Sequence, residues 1–328
     1  MVAPKVGDLN PELSTSDQGT DTTAILAEGA GILGVEALVE DENAVHGLAP
    51  EVSAWRNIWR RFRKNKLAMI GLFIVTVEVL AAIFASVITK YSYTDLQFKG
   101  SLGPSTAHWF GTDQIGRDLF TQVVFGARVS LEVGIIAVLL ALAIGIPAGA
   151  LAGYYGGIID GVLMRITDIF LAFPYILLAI VIITVVGRGV TAVIIVLGFL
   201  GWMPFARLLR SRILSIRESE YVEAARAAGC GDFRIIVRHI LPNAIQPVIV
   251  YGTIFVGTAV LTEAALSFLG VGVNPPTPAW GYMVAEVKGA YTVHPHLMFF
   301  PGGAIFLTVM AFVFIGDGLR DALDPKLR

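Results

Sequence analysis

Long, nearly unbroken apolar runs separated by short polar segments dominate this chain, a pattern much coarser than the alternation of an amphipathic helix or strand. Six runs approach the roughly 20 residues needed to cross a bilayer's hydrocarbon core. They fall at about 67–88, 131–153, 163–186, 190–206, 247–270 and 297–316. The fourth is the shortest and is broken near Trp202-Met203-Pro204. Lipid cannot satisfy backbone polar groups, so apolar runs of this length predict helices and an all-α polytopic fold.

The segments outside the runs are not alike. Residues 1–50 carry nine acidic residues and one basic residue, Lys5, and read as an acidic, unstructured tail. Residues 51–66 differ sharply. In AWRNIWRRFRKNK, Trp55, Ile58, Trp59 and Phe62 recur at helical spacing on one face, with Arg56, Arg60, Arg63 and Lys64 on the other. An apolar run follows at once, so this pattern predicts a helix in the headgroup layer rather than a nucleic-acid or calmodulin-type target. The remainder, 67–328, then divides into spans, an outer loop at 89–130 and a polar inner loop at 207–246.

Composition agrees. Of the 328 residues, 55% are hydrophobic and only 15% charged, whereas soluble domains average about 25% charged. The net charge of -2 says little, because the charges are segregated. With the N-terminus inside, the inner segments hold 18 of the 24 Lys and Arg and the outer segments six, so both termini and the 207–246 loop are expected on the cytoplasmic side. Cys230, the one cysteine, excludes an intramolecular disulfide and reads as a plain thiol. There is no repeat of 20 to 50 residues and no evident inverted repeat.

The inner loop carries the most information. Ser219 is a candidate N-cap, and Glu220 and Glu223 occupy a first turn that favours carboxylates. Ala224, Ala225, Ala227 and Ala228 favour helix, and Gly229 can adopt the left-handed conformation that stops it. A second short apolar run, Phe233 to Ile240, ends at Leu241-Pro242. These residues predict a small cytoplasmic helix shaped to lie against a partner. The stretch resembles the EAA loop of ABC importer permeases, through Glu223, Ala224, Ala225, Gly229, Leu241 and Pro242. His239 stands where that family has an aliphatic residue, a departure that the peptide-transporter branch shares.

Other stretches strengthen the resemblance. HWFGTDQIGRD, from His108, is similar to the signature of C-type dipeptide and oligopeptide permease subunits. So are RITDIFLAFP from Arg165, EAALSFLGVGVNPPTPAWG from Glu263 and the tail GDGLRDALDPKLR from Gly316. The resemblance implies a type I importer core in helices two to six, a second homologous permease subunit, two ATPase subunits that bind ATP and Mg, and an extracytoplasmic binding protein that delivers a peptide. It implies ATPase coupling through Tyr221, Glu223, Ala224, Ala225, Ala228, Gly229, Leu241 and Pro242, with Ala225 and Ala228 allowing close approach. Related branches carry nickel, glutathione or other small solutes.

Several residues invite further readings. Gly145, Gly149 and Gly153 form a small-residue stripe for close helix packing, with Pro147 as a candidate hinge. Asp113 is placed to cap a short outer helix with an apolar face of Leu119, Phe120, Val123 and Val124, and Arg117 and Asp118 to fix that loop's shape. Pairing within a helix is expected for Arg128 with Glu132 and for Arg165 with Asp168. Glu78 and Glu263 lie inside spans without an adjacent base, so they are candidates for the translocation path or for interhelical hydrogen bonds. His294 and His296 lack a third ligand, a weak metal set; the family more often has Pro-Trp at Pro295-His296. No phosphate-binding G-x-x-x-x-G-K-[ST] loop occurs, nor any Gly-Lys pair, so this chain is not expected to hydrolyse ATP alone. A self-sufficient secondary transporter would need ion-coupling charges on broken helices near the midplane, for which Glu78 alone is too little.

Overall fold

A computed structural model describes residues 54–324. The acidic segment 1–50 lies outside the described residues, as do Lys326 and Arg328 of the charge count.

The chain begins with α1 (Ala54–Phe62), then α2 (Lys66–Ile83), capped by Asn65, whose side-chain oxygen accepts from the Ala68 amide at 3.1 Å. A short α3 (Ala85–Ile88) and an irregular outer segment lead to α4 (Leu119–Tyr155). After α4 come α5 (Gly157–Leu171), α6 (Tyr175–Val186) and α7 (Val190–Ile216). The inner segment holds α8 (Glu220–Ala227), α9 (Asp232–Arg234), a π-helical stretch (Ile235–Ile240) and α10 (Leu241–Ala244). Then follow α11 (Gln246–Phe268), the outer α12 (Trp280–Glu286) and α13 (His296–Leu323). Among the described residues, five of these helices are long and apolar enough to cross a membrane, and the bent pair α5–α6 meets the same measure taken together.

Three span boundaries depart from the sequence expectation. The separate outer helix capped by Asp113 does not form: α4 starts at Leu119 and runs unbroken through 37 residues, so the outer loop ends at Asp118 rather than 130. Asp118 caps it instead, accepting from the Thr121 amide at 2.9 Å. The third span is bent by 90° between α5 and α6. Pro174 has no N–H to continue the ladder and disfavours helix at Phe173, so α5 stops and α6 restarts at Tyr175. The fourth span does not break at Pro204, which lies inside a continuous α7 ending at Ile216.

The glycine stripe explains the central packing. A methyl added at Gly149 would lie 2.5 Å from the Ala206 carbonyl oxygen, and one at Gly145 or Gly153 would lie 2.8 Å from Phe205 or Ile213. Only hydrogen fits, so α4 and α7 approach backbone to backbone along the two turns from Gly145 to Gly153. Leu197, Met203, Phe205, Leu209 and Ile213 are buried along that seam. Phe255 of α11 presses on Gly201, and Val256 and Val260 on Gly134. On the far side α13 covers α11, and α2 leans on α13 where Gly71 meets the Ala311 carbonyl.

The outer segment is a fixed cap. One oxygen of Asp113 accepts from the Ile115 and Arg117 amides at 3.1 and 2.8 Å. Arg117 bonds Asp113 through Nε and Glu286 through Nη2, the latter at 2.9 Å. Burial raises the Glu286 carboxyl above its usual range, a shift that Arg117 opposes. His108 Nδ1 lies 2.8 Å from Asp118. Gly116, at φ +89, allows the turn to pass against the Phe98 carbonyl. Arg117 and Asp118 therefore shape the loop, as their position in the motif suggests. The Trp280 indole donates to the Val123 carbonyl at 2.9 Å and ties the cap to α4.

Candidate coupling site and relatives

The inner segment is built as a small helix on a rigid footing. Ser219 takes the extended conformation of an N-cap, φ −79 and ψ 149. Its hydroxyl does not cap α8, however; it donates to the Ile216 carbonyl at 2.6 Å and closes the end of α7 instead. The start of α8 rests on the Ser219 carbonyl, which accepts from Val222 and Glu223 at 2.9 and 3.1 Å, and on Glu220 and Glu223 in the first turn. Its end is a complete glycine stop. Gly229 has φ +78, its amide donates to the Arg226 carbonyl at 3.0 Å, and the Cys230 amide donates to Ala225 at 3.1 Å.

The helix has two faces. Val222 is fully buried, and Ala225 and Cys230 are half-buried against the core. Tyr221, Glu223, Ala224, Ala227, Ala228 and Gly229 are exposed. Ala225, which the sequence reading paired with Ala228 as allowing close approach, is half-buried against its own chain, whereas Ala224, Ala227 and Ala228 are exposed. The difference arises because Val222 fixes the rotation of the helix, and helical spacing then turns position 225 inward.

Behind α8 the chain stays helical but widens. Pro242 cannot donate to the carbonyl four residues back, and the stretch Ile235–Ile240 takes the π form, with the Leu241 amide reaching Ile236. Ile235, Ile236 and Ile240 are buried, and Leu241 is half-buried, so this segment is packed into the core rather than looped out. Pro242 is exposed.

Polar contacts bolt this footing to the spans. The Tyr154 hydroxyl, at the end of α4, donates to Asp232 at 2.8 Å. Arg217 Nη1 donates to the Gly153 carbonyl at 3.2 Å. Arg210 forks onto Asp160, and Arg207 lies 2.6 Å from Asp168, joining α5 to α7. Asp168 therefore pairs across helices and not with Arg165, and no ion pair joins Arg128 to Glu132 among the described residues. The pairs across helices were invisible in sequence because residues about 40 to 50 apart meet only after α5 folds back along α7.

The two candidate path carboxylates are placed differently from one another. Glu263 has no exposed surface and accepts from Ser267 at 2.7 Å and Ser130 at 3.2 Å, joining α11 to α4. Thr308 of α13 donates to Glu78 at 2.9 Å, and the other Glu78 oxygen is buried without a partner. Both make interhelical hydrogen bonds. An open groove elsewhere is lined by Leu171 at the end of α5, by Pro204, Arg207, Leu208 and Ser211 of α7 and by Tyr251 of α11. Tyr175, whose hydroxyl is also buried without a partner, packs beside Tyr251. The sequence reading missed this groove, whose walls come from three helices distant in the chain. On the outer side the rings of His294 and His296 stand 6.0 Å apart, and His296 Nε2 donates to the Leu102 carbonyl at 3.2 Å.

Comparison with known proteins fits this architecture. Residues 145–328 match the family described as binding-protein-dependent transport system inner membrane component. Residues 53–104 match the N-terminal TM domain of oligopeptide transport permease C. The chain is 48% identical, over 84% of its length and 91% of the other's, to the dipeptide transport system permease protein DppC of Alkalihalophilus pseudofirmus. It is 45% identical, with the same coverage, to the glutathione transport system permease protein GsiD of Escherichia coli. A solved chain of the MetNI methionine ABC transporter, in an inward-facing conformation, covers 63% of this chain and 98% of its own length at 25% identity, with a TM-score of 0.52. This chain belongs to the binding-protein-dependent transport system inner membrane component family, as the polytopic permease of an ABC importer.

Proposed function

We propose that this chain is a non-catalytic permease subunit for di- or oligopeptides, driven through α8 by a separate ATPase. The observation that carries the coupling role is the two-faced α8: a buried Val222 root, an exposed small-residue face and a glycine stop at φ +78. A cleft on an ATPase subunit would grip Tyr221, Ala224 and Ala228, with Glu223 as a polar contact. Leu241 and Pro242 then belong to the rigid footing behind the lever rather than to the gripped surface.

In this reading two ATPase subunits bind ATP and Mg, a second homologous permease completes the path, and an extracytoplasmic binding protein loads the peptide. The excess of Lys and Arg on one side supports cytoplasmic termini and a cytoplasmic α8. ATP-driven closure of the ATPase pair would move α8, and its rigid attachments would pass that motion to α4 and α7, rocking the spans between inward and outward states. The similarity to a dipeptide permease supports peptide cargo, and the nearly equal similarity to a glutathione permease keeps that small peptide as the second reading.

Uptake of labelled dipeptides and of labelled glutathione by cells carrying the complete complex tests the cargo. Peptide uptake abolished by deleting this chain's gene is the expected result. The coupling role is tested separately by Ala228→Trp, which should leave the chain in the membrane but fail to retain the ATPase on purification. Normal ATPase recovery with that variant would refute it.

A further inference from the structure

The first helix reveals a surface that the transport reading leaves unused. Sequence periodicity puts Trp55, Ile58, Trp59 and Phe62 on one face, but the fold divides them. Phe62 is buried among Ala68, Gly318 and Ala322, and Ile58 is half-buried beside it. Arg61 donates to the Asp324 carbonyl at 3.1 Å, and Asn65 to Asp321 at 3.0 Å, so α1 is fastened to the end of α13. Trp55 and Trp59 are left outside, 79% and 49% exposed. Arg56 and Arg60 are exposed on the adjoining strip of α1, and Arg63, Lys64 and Lys66 continue it to the start of the first span.

No acidic side chain lies within ion-pairing distance of these arginines among the described residues; Arg60 donates only to Asn57, at 3.2 Å. A row of cations beside two exposed indoles, three residues before a membrane span, has the chemistry of a phosphate-rich interface. Indoles sit at headgroup depth, and guanidinium groups take phosphate oxygens two at a time.

We propose that the free face of α1, Trp55 and Trp59 with Arg56 and Arg60, together with Arg63 just past its end, binds the headgroups of anionic phospholipids in the leaflet next to it. Because Phe62, Arg61 and Asn65 fasten α1 to α13, this contact holds the end of α13 at the membrane surface. The proposal is independent of what the permease carries.

The test uses the full-length chain in nanodiscs, with tryptophan emission quenched by phosphatidylglycerol or phosphatidylcholine spin-labelled near the headgroup. Subtracting the signal of Trp55→Phe/Trp59→Phe isolates α1 from the other three tryptophans. Quenching at lower mole fraction by the anionic lipid is expected, by roughly fivefold or more, the contribution of one basic residue at such a surface. The preference should shrink with salt and vanish in Arg56→Gln/Arg60→Gln/Arg63→Gln, whose exposed positions leave insertion unchanged. Equal quenching by both lipids would overturn the proposal. So would displacement of the anionic lipid by millimolar inorganic phosphate, which would mark a site for the free anion instead.

Discussion

At the scale of single residues, the backbone of Gly229 and the burial of Glu263 make the sharpest demands. Nothing lies within 4 Å of the position a Gly229 side chain would occupy, so the chain itself has room there. The constraint is φ +78, which costs an L-residue about 1–2 kcal/mol and a β-branched one more. Gly229→Val should therefore disturb the end of α8 and abolish uptake while membrane abundance stays normal. Gly229→Asn, which tolerates this conformation, should retain part of the activity; uptake and immunoblots of membranes read both. For Glu263, the serine hydroxyls of α4 and α11 converge on one carboxylate with no exposed surface. Glu263→Ala strands those donors, worth roughly 1–3 kcal/mol, and should lower the thermal midpoint of the solubilised chain. Glu263→Gln keeps an acceptor and should sit close to the parent. If Glu263→Ala instead changed cargo preference at an unchanged midpoint, Glu263 would belong to the path.

At the scale of elements, one link between the inner segment and the spans is the Tyr154–Asp232 hydrogen bond, at the place where α4 ends. Tyr154→Phe removes one hydrogen bond, about 0.5–1.5 kcal/mol, too little to unfold the protein. It should still slacken transmission, so that the reconstituted complex transports fewer solutes per ATP hydrolysed at a near-normal hydrolysis rate. Asp232→Asn keeps an acceptor for the tyrosine and should preserve the ratio; if both substitutions behaved alike, the bond would have no part in coupling. The elements also show what periodicity can and cannot reveal. The apolar runs of α2, α11 and α13 and the α8 glycine stop were legible because each rests on local signals. The first turns of α4 were legible as helix but not as part of the second span, because Thr121, Gln122 and Ser130 interrupt the apolar run and are buried only in the folded chain. The inner end of α7 was hidden for a related reason: Arg207 and Arg210 look like loop residues until Asp168 and Asp160 arrive from α5. Pro204 misled as well, since a helix packed on glycines of a neighbour tolerates a proline that sequence alone reads as a stop.

At the scale of the whole molecule, a solute needs an opening between helices that are otherwise closely packed. Most of the long helices spend their small residues on one another, and the glycine-lined contact of α4 with α7 leaves no space between them. Where α5 ends, an open groove collects Arg207, Ser211 and Tyr251 among apolar neighbours. Peptide groups need hydrogen-bond partners that do not hold them tightly, and a hydroxyl, a phenol and a guanidinium already engaged by Asp168 meet that need. A groove on the path should be open to water from the inside in the resting complex and closed when ATP draws the ATPase subunits together. Ser211→Cys, in a background with Cys230→Ser, gives a single thiol at that wall. In inside-out vesicles a membrane-impermeant maleimide should label it in the nucleotide-free complex and label it several-fold more slowly with a non-hydrolysable ATP analogue. Gly229→Val should label at the same rate in both conditions, because the lever no longer transmits closure. Equal labelling of the Ser211→Cys complex with and without nucleotide would place the groove against lipid or the sister permease, and the path would have to be sought at the face between the two subunits.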